Sequence, residues 1–219
     1  MDLGISDKVK PILEEVKHFI DSEILPLEKE YHAEVAKGDR WTYTERQSEI
    51  LEGLKSKAKA KNLWNFFLTH FEGGHGLNTV EYAYIAEETG RSHLAPEVFN
   101  CAAPYTGNME VLARYCTEEQ KETWLKPLLA GEIRSAFAMT EPAVASSDAT
   151  NIETSITLYG NEYVINGHKW WTSGAMDPRC KVCIVMGKTD TSAETHKQQS
   201  MVIVPMPSPG MQVVSAGPP

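Results

Sequence analysis

The residues best suited to chemistry lie between Phe137 and Asp148, where a short apolar strand runs through Ala138 and Met139 into Thr140-Glu141-Pro142. Small and hydroxyl residues come next: Ala143, Val144, Ala145, Ser146 and Ser147, before Asp148. Such a loop lets main-chain and hydroxyl donors come close to a ligand. Further on, Trp170-Trp171-Thr172-Ser173-Gly174 comes after Asn166-Gly167, read as a turn, so a second strand would deliver two aromatic faces and more hydroxyls. Taken separately, Thr140 and Glu141 would be a capped turn and the indoles a strand core. Together they predict two loops that share one site.

Other chemistry-bearing residues point elsewhere. Cys180 and Cys183 have the spacing of half a metal knuckle, but no second cysteine pair completes it. If 179–188 is a strand, residues three apart point to opposite faces, so both are expected to be small strand hydrophobes. The four cysteines do not form a disulfide framework, and no metal ligand set is expected. Gly73-Gly74-His75-Gly76 has the wrong spacing for a dinucleotide loop and no strand before it; it predicts a turn leading to a cap at Asn78 or Thr79. His168 has no sequence partner and is expected at the surface.

The elements that position the site change period at Arg134, which gives expected domains 1–133, helical, and 134–219, β. Ile5, Val9, Ile12, Leu13, Val16, Phe19, Ile20 and Ile24 form a helical stripe, capped at Ser6 or Asp7 and kinked or stopped by Pro26. A second helix over 44–61 carries Ile50, Leu51, Leu54 and Ala58, with its lysines expected in solvent. Val80, Ala83, Tyr84 and Glu87 share one face of a helix ending at Gly90. Met109, Val111, Leu112 and Tyr115 belong to another helix and are expected in the core with Trp124. Thr117 and Gln120 make a capping box for a helix that Gly131 closes. In the second domain, 152–159 and 162–165 predict a hairpin around Gly160-Asn161, and 182–187 and 201–204 predict further strands.

The formal net charge of −9 argues against nucleic acid as a general partner, since phosphate backbones are bound by clustered Lys and Arg. No apolar run reaches membrane-span length, and the amino terminus has neither a signal-peptide core nor an Arg-rich transit segment. The expected location is soluble and intracellular, with mitochondrial matrix, peroxisome and cytoplasm left open.

Met139-Thr140-Glu141-Pro142 through Ser147-Asp148, with Val164-Ile165-Asn166-Gly167-His168-Lys169-Trp170-Trp171, resemble the flavin-binding segments of acyl-CoA dehydrogenases. The run from Ala145 to Ile152 is most similar to the branch called family members 10 and 11, some of which carry a kinase-like domain upstream. The usual family loop has glycines and one residue fewer between Pro142 and Asp148. The resemblance implies an α+β fold: an amino-terminal helical domain, then an antiparallel β-barrel-like domain, with the carboxy-terminal helical bundle missing.

It also implies FAD as cofactor, acyl-CoA as substrate, and electron-transfer flavoprotein or a similar acceptor as partner, in fatty acid β-oxidation. Phe137, Met139, Thr140, Ser146, Ser147, Trp171, Thr172 and Ser173 are the implied cofactor contacts. Thr140 and Ser173 would bond the reactive edge and Trp171 would cover the ring. Ser147, or Ser146 in the altered register, would touch the CoA arm. The glycine-rich loop and the helix after it would border the acyl chain. The family's catalytic glutamate usually lies in the later bundle, so no catalytic residue is assigned, the chain alone is expected to be inactive, and homo-oligomers are expected only of a complete protein. Two other readings are an acyl-CoA oxidase and a non-catalytic binding module that kept the fold.

Overall fold

The computed structural model describes residues 3–37, 42–69 and 74–214, so Gly73 and 215–219 lie outside the described residues. Two compact units divide the chain, residues 1–131 and 132–219. The first is helical: α1 (Val9–Phe19), α2 (Leu25–Val35), α3 (Glu45–Ala60), α4 (Thr79–Thr89), α5 (Ala95–Val98), α6 (Tyr105–Tyr115), α7 (Glu118–Gln120) and α8 (Lys126–Ala130).

Capping boxes start three of these helices. Thr44 pairs with Gln47, Asn78 with Glu81 and Thr117 with Gln120, each satisfying two opening donors. Ser6 Oγ accepts the Val9 N–H at 3.3 Å, and Gly131 closes α8 at φ 73°. The α1 stripe Val9, Leu13, Val16 and Phe19 is buried, with Phe99 5.5 Å from Phe19 between ring centroids.

Pro26 neither stops nor sharply ends this helix. A wide π turn, Ile20–Ile24, precedes α2, and the Leu25 N–H reaches back five residues to the Ile20 carbonyl. A second wide turn, Lys121–Leu125, precedes Pro127 in the same way, with the Lys126 N–H on the Lys121 carbonyl. Proline lacks a donor and would crowd the carbonyl four residues earlier, and a five-residue step immediately before it shifts the ladder accordingly.

Three expectations for this unit change. Lys55 is only 1% exposed, held between Glu52 and Glu97 at 2.9 Å each, so the lysines of α3 do not all face solvent. On α4 the buried residues are Glu81, Ile85 and Thr89, while Ala83 and Glu87 are exposed. The Asn78 cap draws Glu81 inward, and Ser6 also donates to it at 2.5 Å, which fixes the helix rotation. Tyr115 is 77% exposed rather than in the core, and Trp124 is half-buried.

The second unit contains β1 (Arg134–Ala138), β2 (Ser155–Tyr159), β3 (Glu162–Asn166), β4 (Cys180–Lys188) and β5 (Gln199–Pro205) in one sheet, which makes the chain α+β. The expected antiparallel pairing holds for β2 with β3 and β4 with β5, but β1 and β2 both run parallel to β4. The hairpin turns at Gly160, φ 63°. Register slips between Arg134 and Ser135, which face Cys180 and Val182. This bulge overturns the opposite-face reading of the cysteines: Cys180 and Cys183 join one apolar cluster with Ala136, Ala138 and Val185. Burial pushes their thiols up to about 11 and about 12, so both stay protonated hydrophobes. Among the described residues no His, Cys, Asp and Glu group could hold a metal ion. No helix there is long and apolar enough to cross a membrane.

Candidate functional site

The candidate site is built from the end of β1, the loop over 139–154 and the segment over 167–177, all within the second unit. Alternation along β1 sends Ala136 and Ala138 into the apolar cluster and leaves Phe137 half-buried on the other face. The chain then leaves the sheet, and one buried carboxylate, Glu141, organises the loop beyond it.

Glu141 is 5% exposed, yet each of its oxygens is engaged. Oε2 accepts the Glu153 amide at 2.8 Å; Oε1 accepts the Thr154 amide at 2.9 Å and the Lys169 ammonium at 2.8 Å. Burial pulls its pKa upward, but the Lys169 ammonium and the main-chain amides outweigh that and hold the carboxyl at about 2. Lys169 Nζ also donates to the Met139 carbonyl at 2.9 Å, and the Trp170 amide donates to the Thr140 carbonyl at 2.8 Å. The two segments are therefore tied at adjacent residues on both sides.

The two serines separate. Ser146 is buried, and its Oγ accepts the Glu141 amide at 2.7 Å, so its hydroxyl braces the loop. Ser147 is exposed. Asp148 caps the short turn over 149–151, with Oδ1 accepting from Thr150 N at 2.9 Å and from Thr150 Oγ1 at 2.7 Å. These bonds lower its pKa. Both oxygens of Glu141 are thus committed within the loop, while Asp148 engages Oδ1 in its own turn.

The second segment differs from its expected form. Asn166 ends β3, Gly167 follows it outside any turn, and Trp170 to Ser173 lie outside any strand. Gly167 is required for packing: a Cβ there would stand 2.0 Å from Thr154 Oγ1. Trp171 takes the left-handed region at φ 53°, and the indoles of Trp170 and Trp171 stack with centroids 5.0 Å apart and planes 25° apart. They remain 47% and 64% exposed. The hydroxyls of Thr140, Ser147, Thr172 and Ser173 bond no other described residue. An open aromatic face beside uncommitted hydroxyls suits a planar aromatic ring with hydrogen-bonding edges.

The sequence points to Phe137, Met139, Thr140, Ser146, Ser147, Trp171, Thr172 and Ser173 but left Lys169 without a role. A signal for it exists: one lysine in a run otherwise free of Asp, Glu, Lys and Arg before the paired indoles, and a buried-loop glutamate needing a counter-charge. His168 is exposed, as expected.

Comparison with known proteins defines the class. Residues 6–132 match the acyl-CoA dehydrogenase N-terminal domain and residues 136–218 its middle domain. The chain belongs to the acyl-CoA dehydrogenase family. Acyl-CoA dehydrogenase family member 10 of Mus musculus is 55% identical over 216 residues, covering 96% of this chain and 20% of the mouse protein. A solved Mycobacterium abscessus protein described as an acyl-CoA dehydrogenase superposes with TM-score 0.90 at 49% identity, covering 98% of this chain and 54% of that one. A glutaryl-CoA dehydrogenase from Mycobacterium smegmatis, solved with FADH2, shares the fold with TM-score 0.65 at 22% identity, over 94% of this chain and 47% of its own. The chain thus spans about a fifth of the mouse relative and about half of the solved ones.

Proposed function

We propose that this chain is the flavin-binding part of an FAD-dependent enzyme that dehydrogenates fatty acyl-CoA thioesters at the α,β-position. Family membership supports the general reaction class. The observation that carries the flavin reading is the conjunction of open hydroxyls and stacked, exposed indoles on a loop pair tied by Glu141 and Lys169.

When bound, the flavin supplies the hydride acceptor for desaturation. Phe137, Met139 and Thr140 would line the ring with the main chain, Thr140, Thr172 and Ser173 would direct hydroxyls at its polar edges, and Trp171 would cover an open face. Fixed donors are effective here because reduction places negative charge on the ring, and donors already oriented need no reorganisation. Ser147 would meet the CoA arm; Ser146 would hold the turn that presents it. An electron-transfer flavoprotein or similar protein would take the electrons onward.

The acceptor of the α-proton lies outside this pair of loops. General-base geometry requires a carboxylate within hydrogen-bond reach of the substrate; Glu141 is buried with both oxygens engaged, and Asp148 is tied through Oδ1 to its own turn at Thr150. The domain assignment 1–133 and 134–219 carries the same division: helices for the acyl chain, strands for the flavin.

The experiment is a titration of FAD into the chain monitored by flavin fluorescence and visible absorption. The chain should then be fused to the remaining half of the Mycobacterium abscessus relative and assayed with an acyl-CoA panel and an artificial electron acceptor. Quenched, structured flavin spectra and substrate-dependent bleaching in the fusion are expected. A fusion that retains no flavin once excess FAD is removed by gel filtration overturns the proposal.

A further inference from the structure

We propose that Trp170 is a positioning residue whose indole holds Trp171 in the open orientation that receives a flat aromatic ligand. The identity of that ligand rests on the flavin reading above; the ring arrangement does not.

Main-chain clamps fix both sides of the pair. The Trp170 amide is bonded to the Thr140 carbonyl at 2.8 Å, and its neighbour Lys169 is anchored on Met139 and Glu141. On the other side, the Ser173 amide returns to the Trp171 carbonyl at 3.0 Å and Gly174 reverses the chain at φ 85°. Between these clamps Trp171 sits at φ 53°, a region that bulky side chains rarely adopt and that must be stabilised by its surroundings. The ring itself is 64% exposed, and its aromatic neighbour is Trp170, stacked at 25°.

The stack therefore sets the ring plane. One face of Trp171 lies toward Trp170, which leaves the other for a ligand. Without the Trp170 ring, the Trp171 indole would sample rotamers in solvent, and each binding event would have to order it. A smaller aromatic residue at position 170 would keep the contact, whereas an aliphatic one would not.

The test uses the whole chain and the variants Trp170→Phe, Trp170→Leu, Trp171→Ala and the double variant Trp170→Leu/Trp171→Ala. Far-ultraviolet circular dichroism without ligand should show an exciton couplet from the stacked indoles in wild type, lost in each variant. FAD fluorescence quenching should give Trp170→Phe an affinity within about twofold of wild type, and Trp170→Leu a loss of roughly three- to tenfold, the size expected of one ordered aromatic pair. In the Trp171→Ala background, which leaves no ring for position 170 to hold, Trp170→Leu should add no comparable loss.

A wild-type chain without the couplet would overturn the proposal, as would a Trp170→Leu loss of equal size in the Trp171→Ala background. Failure of both the wild-type chain and its fusion to bind FAD beside an intact couplet would remove the flavin reading, and with it the ligand-facing half of this proposal. The couplet would still support Trp170 as the residue that orders Trp171.

Discussion

Replacing Lys169 with methionine keeps the length of the side chain and removes its charge. The ammonium now reaches the Met139 carbonyl at 2.9 Å and Glu141 Oε1 at 2.8 Å, with Lys169 12% and Glu141 4% exposed at the side chain. After substitution the carboxylate keeps its two amide donors from Glu153 and Thr154 but stays buried without a counter-charge. The Glu141 carboxyl is held at about 2 against an ordinary 4.5. That displacement corresponds to about 3 kcal/mol of stability at neutral pH, at roughly 1.4 kcal/mol per pKa unit. Breaking a buried ion pair on one side costs a similar ~3–5 kcal/mol. Because the folded-state pKa is depressed, the stabilisation is complete above about pH 4.5 and is lost as pH falls toward 2. Urea unfolding monitored by tryptophan emission should therefore show wild type losing stability across that window. Lys169→Met should be destabilised by ~2–4 kcal/mol at pH 7 and should lose much of the acid-dependent decline. Glu141→Gln in the Lys169→Met background should recover part of the loss by neutralising the stranded group. A Lys169→Met protein within ~0.5 kcal/mol of wild type at pH 7 would refute the claim that this pair ties the loops.

Three further substitutions test the loop geometry. Ser146→Ala leaves the buried Glu141 amide without its acceptor and should cost ~1–3 kcal/mol in denaturant unfolding, whereas Ser147→Ala should stay within ~0.5 kcal/mol; equal effects would show that the two hydroxyls were given the wrong roles. Gly167→Ala drives a methyl into Thr154 and should cost ~1–3 kcal/mol, read as a fall in melting temperature, and an unchanged melting temperature would mean the Thr154 contact gives way freely.

Local signals were legible in the chain. The capping box at Thr117, the cap at Asn78, the hairpin at Gly160-Asn161 and the loop after β1 each arise from a few neighbouring residues. Non-local pairings were not. Lys169 and Glu141 meet across 28 positions, and neither residue alone announces the other. The α4 face was misplaced on Val80, Ala83, Tyr84 and Glu87 because the glutamate at position 81 is buried by its capping bonds. Cys180 and Cys183 share a face because β4 slips one residue against β1, and an extra residue in a strand leaves no mark on hydrophobic alternation until its partner is known. Asn166-Gly167 resembles a turn dipeptide, but Gly167 is there to let Thr154 come close, a demand made by packing rather than by chain reversal.

The wide turn at Ile20–Ile24 has a bearing on how sequences of this kind diverge. It is one residue more than an α-helix needs over the same rise, so the chain beyond it is rotated by about 100° relative to an unbroken helix. Before it, α1 turns Val9, Leu13, Val16 and Phe19 fully inward; after it, α2 buries no residue completely. A relative that lacks one residue in this pentapeptide would align with a single-position gap inside a helix, where gaps are usually penalised as errors. Such a gap would record a real change of helical phase, and the proline at position 26 would have to change with it, because an α-helical ladder in that place has no room for its ring.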